Sequence, residues 1–139
     1  MNSIPTNLKQ FDTKCCPTGT PNYFSNRPRI TLSYRGSVAF STAAASLLDL
    51  QPGDGVVFLQ DQKYPSDWYV AKSDDPARFV VLAAGNKTLR FASEKLVQEI
   101  ARSVEVEEYR FLSFSIIRTK SGYFALDVKH PKITPPQIQ

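Results

Sequence analysis

Between Arg29 and Leu59 the chain reads RITLSYRGSVAFSTAAASLLDLQPGDGVVFL, and its hydrophobic period changes from two to helical and back to two. Ile30 to Tyr34 and Val38 to Phe40 are short apolar runs on either side of Arg35-Gly36. Alternation across a glycine-containing turn predicts a β-hairpin, because period two sends one face of each strand toward a core. Ser41 or Thr42 then offers a hydroxyl to the free amides of a first helical turn. Ala43, Ala44, Ala45, Leu47 and Leu48 favour a short helix over 42–49, and the small alanines allow close packing. Pro52-Gly53-Asp54 is a turn signature, since Pro fixes φ and Gly accepts positive φ. Gly55 to Leu59 resumes as a strand. Trp68 to Lys72 is the next, after a polar loop containing Pro65.

The second half repeats this plan. Phe79 to Ala83 reads as a strand, Gly85-Asn86-Lys87 as a turn and Thr88 to Phe91 as a strand. Ser93 caps a helix over 93–103, with Glu94 in its first turn and Leu96, Val97 and Ile100 as its apolar stripe. Tyr109 to Thr119 and Tyr123 to Val128 form a second hairpin around Lys120-Ser121-Gly122. Laying Phe40 on Phe91 aligns GSVAF with KTLRF. One ββαββ unit is too small to cover its own sheet, whereas two can interlock into a small barrel without exposed edges. The expected core contains Val38, Phe40, Leu47, Leu48, Val57, Val80, Leu89, Phe91, Leu96, Ile100, Phe111 and Ile116.

Gly36, Val38, Phe40, Leu48, Leu50, Pro52, Gly53, Asp54, Val56 and Phe58 carry a resemblance to the AbrB-type DNA-binding domain, the swapped-hairpin fold. The tandem arrangement resembles the MraZ family, which places two such units in one chain. Departures are Ser37 in place of the family's basic residue, Ser41 in place of its Pro, and Ala45 and Ser46 where basic residues are frequent. The resemblance implies a mainly β fold with two short helices, an AbrB-like swapped-hairpin barrel of two ββαββ units. The expected divisions are a basic arm over 1–28, one barrel domain over 29–128 with halves 29–73 and 78–128, and a Pro-rich extended tail over 129–139.

Charge supports the same class. The net charge is +4, and the whole excess falls before residue 36, in Lys9, Lys14, Arg27, Arg29 and Arg35 against Asp12. A basic arm beside a neutral body fits phosphate contacts. By this reading Arg27, Arg29 and Arg35, with Lys87 and Arg90 of the matching hairpin, contact DNA. A protein partner on the same fold, without DNA binding, is the alternative. No apolar run approaches the roughly 20 residues that span a bilayer, and the N-terminus lacks a signal-peptide core. The expectation is therefore a cytoplasmic protein without a membrane partner, acting as monomer or homodimer.

Catalysis finds little footing. His130 is the only histidine. Cys15 and Cys16 are adjacent, which disfavours a mutual bridge and makes a poor zinc site. Asp74-Asp75 and Glu105, Glu107 and Glu108 read as turn and solvated charges, so no cofactor or metal is expected. Tyr34-Arg35-Gly36-Ser37 resembles the Tyr-x-Gly-Ser of aspartate 1-decarboxylase, which implies self-cleavage at Gly36–Ser37 to a pyruvoyl group as a minor alternative. Trp68, Tyr69, Tyr109, Phe111, Phe114, Tyr123 and Phe124 are candidates for base stacking, but their alternation along strands assigns most of them to the barrel core.

Overall fold

A computed structural model describes residues 27–85, 88–119 and 121–136. Most of the 1–28 arm, with Cys15 and Cys16, lies outside the described residues, as does Lys87. The first hairpin is β1 (Arg29–Ser33) and β2 (Ser37–Phe40), followed by α1 (Thr42–Leu47), β3 (Gly55–Gln60) and β4 (Trp68–Lys72). Then come β5 (Phe79–Val80), β6 (Leu82–Ala83), β7 (Leu89–Ala92), α2 (Glu94–Ser103), β8 (Phe111–Arg118), β9 (Phe124–Leu126) and β10 (Lys132–Thr134). The fold is mainly β, with two helices on a nearly closed antiparallel barrel-like sheet.

The sheet runs β5-β3-β4-β9-β8-β1-β2-β7-β6. Its two ends are consecutive in the chain. The strand expected over Phe79 to Ala83 changes partner at the wholly buried Val81: β5 pairs with β3 before it, and β6 pairs with β7 after it. Val81 itself bonds the Pro52–Asp54 turn, donating to the Asp54 carbonyl at 2.9 Å and accepting from the Gly53 amide at 2.8 Å.

Apart from the β10–β8 pairing, exchanging the halves leaves the pairing map unchanged. β1–β2 answers β6–β7, and β3–β4 answers β8–β9. β1–β8 answers β5–β3, while β2–β7 and β4–β9 each join equivalent strands. The shift that lays Phe40 on Phe91 also carries Thr31↔Ala39 onto Leu82↔Arg90, and Leu32↔Val38 onto Ala83↔Leu89. The helices match at both ends. Ser41 Oγ accepts from the Ala44 amide, and Ser93 Oγ from the Leu96 amide. Asp49 and Glu105 take left-handed backbone just beyond the caps, with φ of 55° and 61°. The Leu50 amide then donates to Ala45 and the Val106 amide to Ala101, the 6→1 bond that closes a helix C-terminus.

Ile30, Leu32, Val38, Phe40, Val56, Val70, Val81, Val97, Ile100, Leu112 and Phe114 are wholly or almost wholly buried. Each such side chain stabilises the fold by about 1.5–3 kcal/mol through removal from water. Phe79 stacks on Phe91 with centroids 4.6 Å apart, and Phe58 meets both at ring edges or tilts. Three expected core residues differ. Val80 and Phe111 are exposed and Val57 is only half-buried. The reason is strand parity: Val56, Val81, Leu112, Phe114 and Ile116 take the inner face, so their immediate neighbours point outward.

Within the Pro-rich end, Lys132–Thr134 is extended and paired, after a turn at 128–130. β10 lies antiparallel to the start of β8, with Ile133 opposite Leu112. No helix among the described residues is long and apolar enough to cross a membrane.

Candidate nucleic-acid interface

The outer face of β8, β1 and β2 carries mainly short polar or small side chains, and β7 and β6 add larger ones. A single cross-strand row reads Ser113, Thr31, Ala39, Arg90, Leu82. Arg90 is exposed on this row, with the small Ala39 as its partner on β2. Arg35 is exposed at the turn between β1 and β2. Its Nε donates to Tyr34 Oη at 2.9 Å, and its Cζ stands 5.5 Å from the Tyr34 ring centroid. The bond to Tyr34 holds Arg35 above the ordinary arginine range.

Arg29 is placed differently. Its Nε donates to Ser113 Oγ at 2.9 Å, one terminal nitrogen to Ser115 Oγ at 3.0 Å, and the other to the Ser113 carbonyl at 3.3 Å. Burial first, and the nearby Arg27 charge second, lower its pKa, while Asp127 opposes them. The guanidinium thus ties β1 to β8. Arg27 is exposed at the entry to β1, where its carbonyl accepts from Ser41 Oγ at 3.0 Å.

Arg27 and Arg29 share one end of β1 and Arg35 marks the other, roughly 20 Å away along an extended strand. Arg27, Arg29, Arg35 and Arg90 therefore form a band along the first hairpin and β7 rather than one cluster. Arg110, which the sequence did not single out, joins the Arg35 end, with its Cζ 5.3 Å from the Phe111 ring. The adjacent aromatic–arginine pairs Tyr34-Arg35 and Arg110-Phe111 were visible in the sequence; their meeting across β1 and β8 depends on register.

The aromatics expected to be mostly core divide. Trp68 and Phe114 are buried, and Trp68 Nε1 donates to Ser103 Oγ at 2.7 Å. Tyr109 and Phe124 pack partly against the core, whereas Phe111 and Tyr123 are exposed.

The remaining chemical candidates have structural surroundings. Gly36 has φ of 103°, and its carbonyl accepts from the Ser93 amide at 2.8 Å. Ser37 lies within β2, opposite Ala92. His130 Nδ1 is 3.3 Å from both Asp127 carboxylate oxygens at an exposed position. Lys72 lies between Asp54 at 3.4 Å and Asp49 at 4.0 Å.

Compared with known proteins, the chain matches no protein family, no curated protein and no solved structure.

Proposed function

We propose that this is a DNA-binding, transcription-regulator-like protein on an AbrB-like swapped-hairpin barrel, acting in the cytoplasm with both units in one chain. The observation that carries the reading is strand exchange between halves: β1 pairs with β8 and β5 with β3, so each half's first strand completes the other's sheet. That exchange is what a swapped-hairpin pair requires, and it gives an internal duplication a physical use. Arg35 and Arg90 supply exposed cations on the first hairpin and its paired strand, Arg27 adds one at the far end of β1, and Lys87, outside the described residues, is the further cation of this reading. Arg29 contributes by holding β1 against β8. An electrophoretic shift on mixed-sequence duplex DNA at low salt tests the reading. A retarded band is expected, and an unshifted duplex at micromolar protein would reject it.

A protein-interaction module is the second reading, and one observation favours it. Leu59, Tyr69, Ala125 and Ile117 form a charge-free row across the outer faces of β3, β4, β9 and β8. Recovery of a protein partner, together with failure to shift DNA, would select it. The pyruvoyl-enzyme alternative draws no support from Gly36 and Ser37, whose backbone continues the β2–β7 ladder. Intact mass should give one uncleaved chain; two fragments split between these residues would restore that alternative.

A further inference from the structure

Beside the turn of the first hairpin lies an open groove of about 880 Å³. Tyr34, Arg35, Glu107, Glu108, Arg110 and Phe111 supply most of its chemistry. Its base is tied by main-chain bonds. The Tyr34 amide donates to the Arg110 carbonyl at 3.2 Å, and the Arg110 amide donates to the Thr134 carbonyl at 2.7 Å. Three chain segments therefore fix the two walls relative to each other.

Each wall presents an aromatic ring with a guanidinium over it. Arg35 stands 5.5 Å from the Tyr34 centroid and Arg110 5.3 Å from that of Phe111. Tyr34 is 52% exposed and Phe111 37%. Phe111 thereby keeps apolar surface in water that burial would have recovered. A flat cationic surface of this kind suits a planar base joined to a phosphate, through stacking and charge together. A paired base in a duplex shows only its edges in the grooves, so its face is unavailable. An unpaired base presents its face. Glu107 and Glu108 also line the groove and repel phosphate. They accept hydrogen bonds from an exocyclic amine, as carboxylates do from cytosine.

We propose that this groove binds single-stranded DNA through an unpaired nucleotide, with phosphate toward Arg35 and Arg110, and prefers bases bearing an exocyclic amine over thymine. The proposal rests on the nucleic-acid reading for its ligand class, but uses a surface separate from Arg90.

Fluorescence anisotropy with labelled oligo-dC and oligo-dT of equal length, at neutral pH, tests it. Oligo-dC is expected to bind more tightly. The double substitution Tyr34→Ala with Phe111→Ala should weaken oligo-dC binding about tenfold or more, while Tyr34→Phe retains it. Glu107→Ala with Glu108→Ala should bring the dC/dT ratio toward one. Thermal melts of the variants confirm that each is folded. Equal binding of oligo-dC and oligo-dT by the unmodified protein overturns the proposal, as does unchanged affinity in the folded Tyr34/Phe111 variant. Arg90→Ala separates the two readings, because it should weaken duplex binding and spare single-strand binding. Single-strand binding without duplex binding would leave the groove standing and sink the duplex reading; duplex binding alone would do the reverse.

Discussion

The Ser93 amide donates to the Gly36 carbonyl at 2.8 Å, joining the turn of the first hairpin to the cap of the second helix. A Cβ at Gly36 would lie 2.9 Å from the Glu94 Cα, against backbone that cannot swing aside. Gly36 also has φ of 103°. Gly36→Ala should therefore cost about 2–4 kcal/mol, combining left-handed strain with overpacking. Gly53→Ala is the control: φ is 96° and nothing lies within 4 Å of its added Cβ. Strain alone should cost about 1–2 kcal/mol there. Urea denaturation of both variants measures the difference, and equal losses would show that Glu94 does not restrict Gly36.

Glu105 holds φ of 61° where a helix end favours glycine. Glu105→Gly should raise stability by about 0.5–1 kcal/mol, as relief of left-handed strain outweighs the greater unfolded-chain entropy of glycine. A higher urea midpoint at unchanged slope is the expected result. Asp49 is the less clean site, because Lys72 Nζ donates to its carbonyl at 2.8 Å.

Asp54 Oδ2 accepts from the Gln51 amide at 2.9 Å and lies 3.4 Å from Lys72 Nζ. The backbone bond, chiefly, lowers its pKa against an opposing desolvation, with help from Lys72. A carboxyl depressed in the folded state stabilises above the unfolded pKa and loses that contribution as pH falls through the folded value. Asp54→Asn should thus be less stable than the parent at neutral pH, and the gap should close as pH falls through and below the ordinary aspartate range. Denaturation midpoints across that range check it; a gap that widens in acid would contradict the assignment.

Arg29 and the exposed arginines should separate experimentally. Arg29→Ala removes donors from the buried Ser113 and from Ser115, at a cost of about 1–3 kcal/mol in stability. Arg35→Ala and Arg90→Ala should stay within about 0.5 kcal/mol of the parent, and each should reduce the salt slope of duplex binding by about 1. Denaturation and binding on the same three variants decide the matter. A stable Arg29→Ala with a reduced salt slope would return Arg29 to the DNA surface.

Local signals carried far in this chain. The Gly36 turn, the serine caps, the Pro52–Asp54 turn and β4 all follow from nearest-neighbour chemistry, and all are present. The shift that lays Phe40 on Phe91 also relates the β1–β2 register to that of β6–β7. What local chemistry leaves open is decided by long-range pairing. Val80 and Val81 are equally apolar, and it is Val81, bonded to the Pro52–Asp54 turn, that is buried. The polar end of the chain gave no sign that Lys132–Thr134 would pair with β8. The bonds of Arg29 to Ser113 and Ser115 were not legible, because those serines stand more than eighty positions away in sequence.

Duplex affinity across a salt series tests the central claim most directly. Fluorescence anisotropy with a labelled mixed-sequence duplex, from about 50 to 200 mM salt, follows the release of counterions from neutralised phosphates. Contacts from Arg27, Arg35, Lys87 and Arg90 predict that log K falls linearly with log salt, with a slope of roughly −3.6. No binding at the lowest salt, or an affinity that does not change along the series, would contradict a DNA-binding function.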